Sequence, residues 1–154
     1  MEIDAAAEYY LDHELEQKVA DRKVLTFGDD YLLFELPFIS EPAVMSSVIF
    51  QMQTAGYRPV LAHPERYTFW YHDFSKYERL KERGVLFQLN TIALSGAYGP
   101  QAKQIAERLI DAGHYELLGS DCHGMNHVQA IKNTLARPYL HKLIASGKLL
   151  NSTL

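Results

Sequence analysis

Cysteine is nearly missing from this chain: Cys122 is its only one, which excludes an intramolecular disulfide framework and makes a reducing, cytoplasmic setting the simplest expectation. Long apolar runs are missing too. No stretch approaches the roughly 20 residues that span a bilayer, so membrane insertion is not expected. Met1 to Ala7 carries two acids and no basic, apolar-core pattern, so it does not read as a signal peptide. Concentrated positive charge is absent as well. The net charge is −4 with scattered basic residues, which argues against a dedicated nucleic-acid face. There is no Walker loop, since Ser95-Gly96-Ala97-Tyr98-Gly99 lacks its spacing, and no Cys-x5-Arg signature of a cysteine-based phosphatase. What remains is ordinary for one folded domain of 154 residues: 47% hydrophobic, 22% charged, with ten tyrosines.

Short apolar runs alternate with amphipathic stretches. Strands are expected over Ile3–Ala7, Tyr31–Phe38, Pro59–Ala62, Val85–Leu89 and Glu116–Leu118, with a brief extended piece at Leu25–Phe27. Leu11, Leu15 and Val19 fall four apart and predict a helix. So do Val44, Met45, Val48, Ile49 and Met52, then Ala102, Ile105, Ala106, Leu109 and Ile110. Val128, Ile131 and Leu135 suggest another, and a last one follows Pro138 with Leu140, Leu143 and Ile144. Strand and helix in alternation predict an α/β fold with a parallel sheet and crossover helices. Sites in such folds lie at the carboxyl ends of the strands. Glu8, His63, Asn90 and Asp121 each follow an apolar strand run, and Glu35 lies near the end of one.

Three constellations carry chemistry. In Ala62-His63-Pro64-Glu65-Arg66-Tyr67, an imidazole directly after a strand suits a metal, and the Arg66 fork suits phosphate or carboxylate. The alternative, His63 bonding a loop while Arg66 caps a helix or pairs with Glu65, stays open on this segment alone. In Gly119-Ser120-Asp121-Cys122-His123-Gly124, residues two apart on an extended strand end face one side. Asp121 and His123 then form a metal pair, and Cys122 points away. Glu35, set in an apolar run, needs a cation beside it, whether metal or buried arginine, and metal is favoured. Glu8 by itself reads better as an exposed acid before a helix. His13, His72, His114 and His141 are expected to be solvated. The rings of Tyr67, Phe69, Trp70, Tyr71 and Phe74 are expected to pack under a loop.

The runs AAEYYLD (Ala6–Asp12), LLFELPF (Leu32–Phe38), LAHPERY (Leu61–Tyr67) and GSDCHG (Gly119–Gly124), in that order and spacing, resemble the PHP superfamily, named for polymerase and histidinol phosphatase. Within it they resemble most the bacterial manganese-dependent tyrosine-protein phosphatases of capsule and exopolysaccharide operons. The resemblance implies a distorted, TIM-like (β/α) barrel with a cluster of divalent ions, expected to be Mn2+ with Fe or Zn as alternatives. It implies Glu8, Glu35, His63, Asp121 and His123 as metal ligands and Arg66 as the phosphate holder, with His63 as a candidate for proton transfer. His127 falls near the place of a second arginine, and Asn90 joins it as a candidate substrate contact. The implied reaction is hydrolysis of protein phosphotyrosine, on a tyrosine kinase of polysaccharide synthesis, by a metal-bound hydroxide attacking phosphorus. The family's His-x-His is not found here. Residues 1–154 are therefore expected to be one partial domain, the C-terminal portion of a barrel whose usual size is about 250 residues. Such a chain is expected to be weak or inactive alone and prone to homo-oligomerise through open strand edges. The alternatives are a non-catalytic remnant, or a phosphatase of a small phosphomonoester such as histidinol phosphate.

Overall fold

The structure, a computed structural model, describes residues 5–28 and 30–154. Five strands, β1 (Glu8–Tyr10), β2 (Tyr31–Glu35), β3 (Arg58–Ala62), β4 (Leu86–Asn90) and β5 (Leu117–Gly119), form one sheet in chain order. Every neighbouring pair is parallel. Among the described residues six α-helices join and follow them: α1 (His13–Ala20), α2 (Met45–Thr54), α3 (Ser75–Glu82), α4 (Pro100–Asp111), α5 (Met125–Thr134) and α6 (Pro138–Ala145). The order never reverses, so the sheet has no topological switch point of the doubly wound kind.

One face of the sheet carries the main core. Leu32, Phe34, Leu61, Phe87 and Leu89 pack there against Leu15 and Val19 of α1, Val48, Ile49 and Met52 of α2, and Ile105, Ala106 and Leu109 of α4. Each fully buried leucine or isoleucine of that layer contributes roughly 1.5–3 kcal/mol relative to exposure. The opposite face has a smaller plug, in which Tyr31, Val60 and Leu117 sit under Phe27 and Leu150. The C-terminal tail also covers the β5 edge: Leu150 N–H donates to the Glu116 carbonyl, and the Asn151 amide bridges the N–H and carbonyl of Leu118.

Several expected elements move. The strand predicted at Ile3–Ala7 lies partly outside the described residues, and Ala5–Ala7 is irregular. Glu8 therefore opens β1 instead of following it. β2 stops at Glu35 because Pro37, lacking an N–H, cannot extend the ladder. That places Glu35 at a strand terminus with its side chain 28% exposed, which removes most of the burial cost expected of it. The stripe Val128, Ile131 and Leu135 is not buried: Leu135 is 59% exposed, and Thr134 is the buried residue of α5. His114 is not fully solvated either, since it stacks on Phe74 at 6.1 Å and burial pulls its pKa down.

Candidate metal and phosphate site

Glu8 pairs in register with Leu33, and Tyr10 pairs with Glu35. Side chains alternate with a period of two, so Glu8 and Glu35 share the sheet face away from the main helical core. His63 follows Ala62 and by alternation would point to the other face. Its left-handed backbone (φ 37°, ψ 54°) breaks the alternation. That conformation costs a non-glycine residue about 1–2 kcal/mol, and here it turns the imidazole toward the two carboxylates. Nε2 of His63 lies 3.2 Å from Glu8 Oε1 and 3.4 Å from Glu35 Oε2. One donor atom from each of the three residues falls within 4.8 Å of the others, the spacing one cation requires. Nδ1 of His63 is buried with no hydrogen-bond partner among the described residues.

Burial opposes charge on His63, yet its hydrogen bonds to Glu35 and Glu8, whose carboxylates accept, outweigh it and raise the ring's pKa to about 9. The hydrogen bond to His63 lowers Glu35 in return. In this arrangement one imidazole proton serves the positive charge that two acids demand. The chemistry of the donor set, two hard carboxylate oxygens and one imidazole, fits a divalent ion such as Mn2+, Fe2+ or Zn2+.

A second group adjoins the first. Arg66, on the 3-10 turn Pro64–Arg66, donates from Nη1 to Asp121 Oδ2 at 3.1 Å. Asn90, the last residue of β4, donates its side-chain amide to the same oxygen at 2.8 Å. The Arg66 guanidinium lies between two rings, 4.7 Å from Phe38 and 4.2 Å from Tyr98. Asp121 is therefore engaged by Arg66 and is not part of the three-residue donor cluster. His123 Nδ1 approaches Asp121 Oδ1 at 3.2 Å and its backbone carbonyl at 2.8 Å, and His127 Nδ1 meets that carbonyl at 3.0 Å.

All these groups face one cavity of about 320 Å3, lined by Glu8, Glu35, Phe38, His63, Arg66, Tyr98, Asp121, His123 and His127. Asn90 reaches it through Asp121. An open groove of about 700 Å3 between α1 and α2 is larger, but it holds no strand-end group and no donor cluster. The eight residues singled out in the sequence thus come together, and two details differ. Asp121 and His123 do not lie on a strand: β5 ends at Gly119, and Asp121 has a positive φ of 44°. They meet through that turn and not through strand alternation, while Cys122 is exposed as expected. Neither does Arg66 cap a helix or pair with Glu65, as its alternative reading had it.

Sequence reasoning missed Glu65, fully buried, whose carboxyl burial pushes up to about 7. It missed Phe38 and Tyr98 as cavity walls, and it treated Tyr67 as packing alone. Nothing in the order of residues marks these four, because their roles depend on which strand ends become neighbours.

Parallel strands, outer helices and an acid–imidazole cluster beside an arginine define an α/β protein with a candidate metal-and-anion centre. The family described as capsular polysaccharide synthesis, CpsB/CapC, matches residues 1–145, and this chain belongs to it. Tyrosine-protein phosphatase YwqE of Bacillus subtilis (strain 168) is 34% identical over 113 residues, 73% of this chain and 44% of that protein. CapC of Staphylococcus aureus is 26% identical over 122 residues, covering 79% and 44%. A chain from the crystal structures of YwqE from Bacillus subtilis and CpsB from Streptococcus pneumoniae, described as metal-dependent tyrosine phosphatases, superposes with a TM-score of 0.73. It is 32% identical and covers 84% of this chain and 55% of that one. The chain spans about half the length of the relatives it matches.

Proposed function

We propose that the cavity is part of a divalent-metal phosphoesterase site acting on phosphotyrosine in proteins, within a PHP-type distorted barrel of which residues 1–154 form the C-terminal portion. The observation that carries this reading is His63 Nε2 set between Glu8 and Glu35, in one cavity with Arg66. Glu8, Glu35 and His63 hold the ion, with Asp121 and His123 as further ligands. Mn2+ is the expected ion, and Fe or Zn are alternatives of the same chemistry. A bound divalent ion supplies a Lewis acid that brings the pKa of a coordinated water toward neutrality.

The chain's own residues do the rest. Arg66 presents a permanently charged fork to the phosphoryl oxygens. A phosphate that takes this fork would compete with Asp121 for it, and Asp121, still held by Asn90, would be one of the residues available to an ion. His127 lines the same cavity as a candidate substrate contact, and Asn90 acts on the substrate side through Asp121, whose carboxylate its amide holds. Phe38 stacks on His63 at 5.6 Å and lies under Arg66, yet stays 41% exposed at the cavity wall, where its free edge offers a surface to an aromatic substrate ring. A tyrosine leaving group, with a phenol pKa of about 10, also needs less proton donation than an alkyl alcohol. The His123 and His127 rings at the mouth suffice as proton carriers.

The protein partner in this reading is a tyrosine kinase of polysaccharide synthesis, in the cytoplasm. Among the described residues β1 pairs with β2 alone, so self-association through that edge belongs to the same reading. No helix among the described residues is long and apolar enough to cross a membrane.

Phosphate release from a phosphotyrosine peptide, a phosphoserine peptide and histidinol phosphate, with manganese and with chelator, tests the proposal. Only Glu8, Glu35 and His63 converge on one point here, while Asp121 is engaged by Arg66, so turnover below about 1 per second is expected. That turnover should require metal and favour phosphotyrosine. Preference for histidinol phosphate would move the assignment to small phosphomonoesters. A chain that binds neither manganese nor phenylphosphonate would be a non-catalytic member of its family.

A further inference from the structure

The turn after β3 carries two side chains that are wholly buried and line no cavity. Glu65 accepts the Asn90 backbone N–H at Oε1 (3.0 Å) and the Tyr115 hydroxyl at Oε2 (2.8 Å). No cationic side chain hydrogen-bonds it among the described residues; the charge of His63 reaches it only through space. Tyr67 accepts the Leu36 N–H at its hydroxyl (2.9 Å) and donates that hydroxyl to the Ala62 carbonyl (3.1 Å). Leu36 and Ala62 are the chain neighbours of Glu35 and His63. Asn90 is the residue whose amide holds Asp121, and Asp121 holds Arg66. One hydroxyl thus ties the ends of β2 and β3, and one carboxylate ties the end of β4 to the residue two before β5.

Neither group is a cheap way to fill space. A buried carboxylate without a cation carries a desolvation cost that an aliphatic side chain of similar volume avoids. Pinning backbone next to a functional side chain is a reason for each to be there. The hydrogen bonds of the two side chains do not overlap: those of Tyr67 go to segments bearing the donor cluster, and those of Glu65 to segments bearing the groups around Asp121.

We propose that Glu65 and Tyr67 are positioning residues that hold two halves of the site independently, Tyr67 the Glu35–His63 spacing and hence cation affinity, Glu65 the Asn90–Asp121–Arg66 group and hence phosphate affinity. This rests on the function proposed above.

The test uses the chain as it stands, with Mn2+ affinity read by electron paramagnetic resonance. Phenylphosphonate affinity is read by calorimetry at saturating Mn2+. Tyr67→Phe should weaken Mn2+ by about 10-fold, the lower end of what losing an outer support costs, because its hydroxyl holds the backbone beside each ligand, and should leave phenylphosphonate near its wild-type value. Glu65→Ala should do the reverse. Glu65→Gln should restore phenylphosphonate binding, because its carbonyl still accepts from Asn90 and its amide donates to the Tyr115 oxygen. If Glu65→Ala does not fold, Tyr115→Phe removes one of the two pins and should give the same selective loss, smaller. Losses of both ligands in step with melting temperature, or no loss of either, would overturn the proposal. A wild-type chain that binds neither probe would instead remove the function proposed above, and this assignment with it.

Discussion

Metal binding at this site must compete with a proton. His63 is 4% exposed, and its Nε2, the atom facing both carboxylates, is also the atom that must give a lone pair to a cation. Glu35 and Glu8 hold the ring's pKa at about 9. pH 7 therefore lies about two units below the ring's pKa, and displacing the proton lowers the apparent affinity on the order of 100-fold. Below pH 9 the apparent Mn2+ affinity should rise about tenfold per pH unit, one proton leaving per ion bound. Calorimetric Mn2+ titrations at pH 6.5, 7.5 and 8.5, each in two buffers of different ionisation enthalpy, give both the slope and the proton count. An affinity flat across that range, with no proton released, would refute the assignment of His63 Nε2 as a ligand.

The same pair governs the metal-free chain. His63 has a raised pKa, so its contribution to stability is complete below about pH 6.5 and is lost as pH rises through about 9. Glu35 has a lowered pKa, so its contribution is present above its usual range and is lost as pH falls. In chelator, melting temperature should fall between pH 6.5 and 9, and His63→Gln should flatten that slope; parallel curves would count against the pairing. Phe38→Ala should weaken phenylphosphonate by about 3- to 10-fold, the worth of one ring contact, and methylphosphonate by less. Equal losses would remove the aromatic wall from the account. Arg66→Lys keeps the charge and loses the fork, so phenylphosphonate should weaken about tenfold with Mn2+ affinity unmoved; calorimetry on the two ligands checks both halves.

Periodicity made the helices legible. The α4 stripe of Ala102, Ile105, Ala106, Leu109 and Ile110 is buried as its spacing demands. The same logic failed on α5, which packs mainly on the short turn Thr91–Ser95, so that Val128 and Ile131 are half-buried and Leu135 is exposed. The strand-end rule located His63, Asn90 and Asp121, because a polar residue after an apolar run has few places to go in a parallel sheet. Glu35 was legible for a reason that needed amending: the acid ends its strand and faces a cavity, so no deep burial has to be compensated. Local rules could not show the left-handed turns at His63 and Asp121, which reorient both side chains against strand alternation. They could not show Glu65 either. Its partners lie 25 and 50 residues away, and only the pairing of β3 with β4 and of β4 with β5 brings them within reach.

Manganese bound per folded chain, measured at pH 8 for the wild type beside Glu35→Gln and His63→Gln, bears most directly on whether Glu8, Glu35 and His63 form a cation site. About one ion per wild-type chain is expected, with a large loss in each variant and circular dichroism unchanged. A wild type that takes up no ion, or variants that bind as it does, would contradict that expectation.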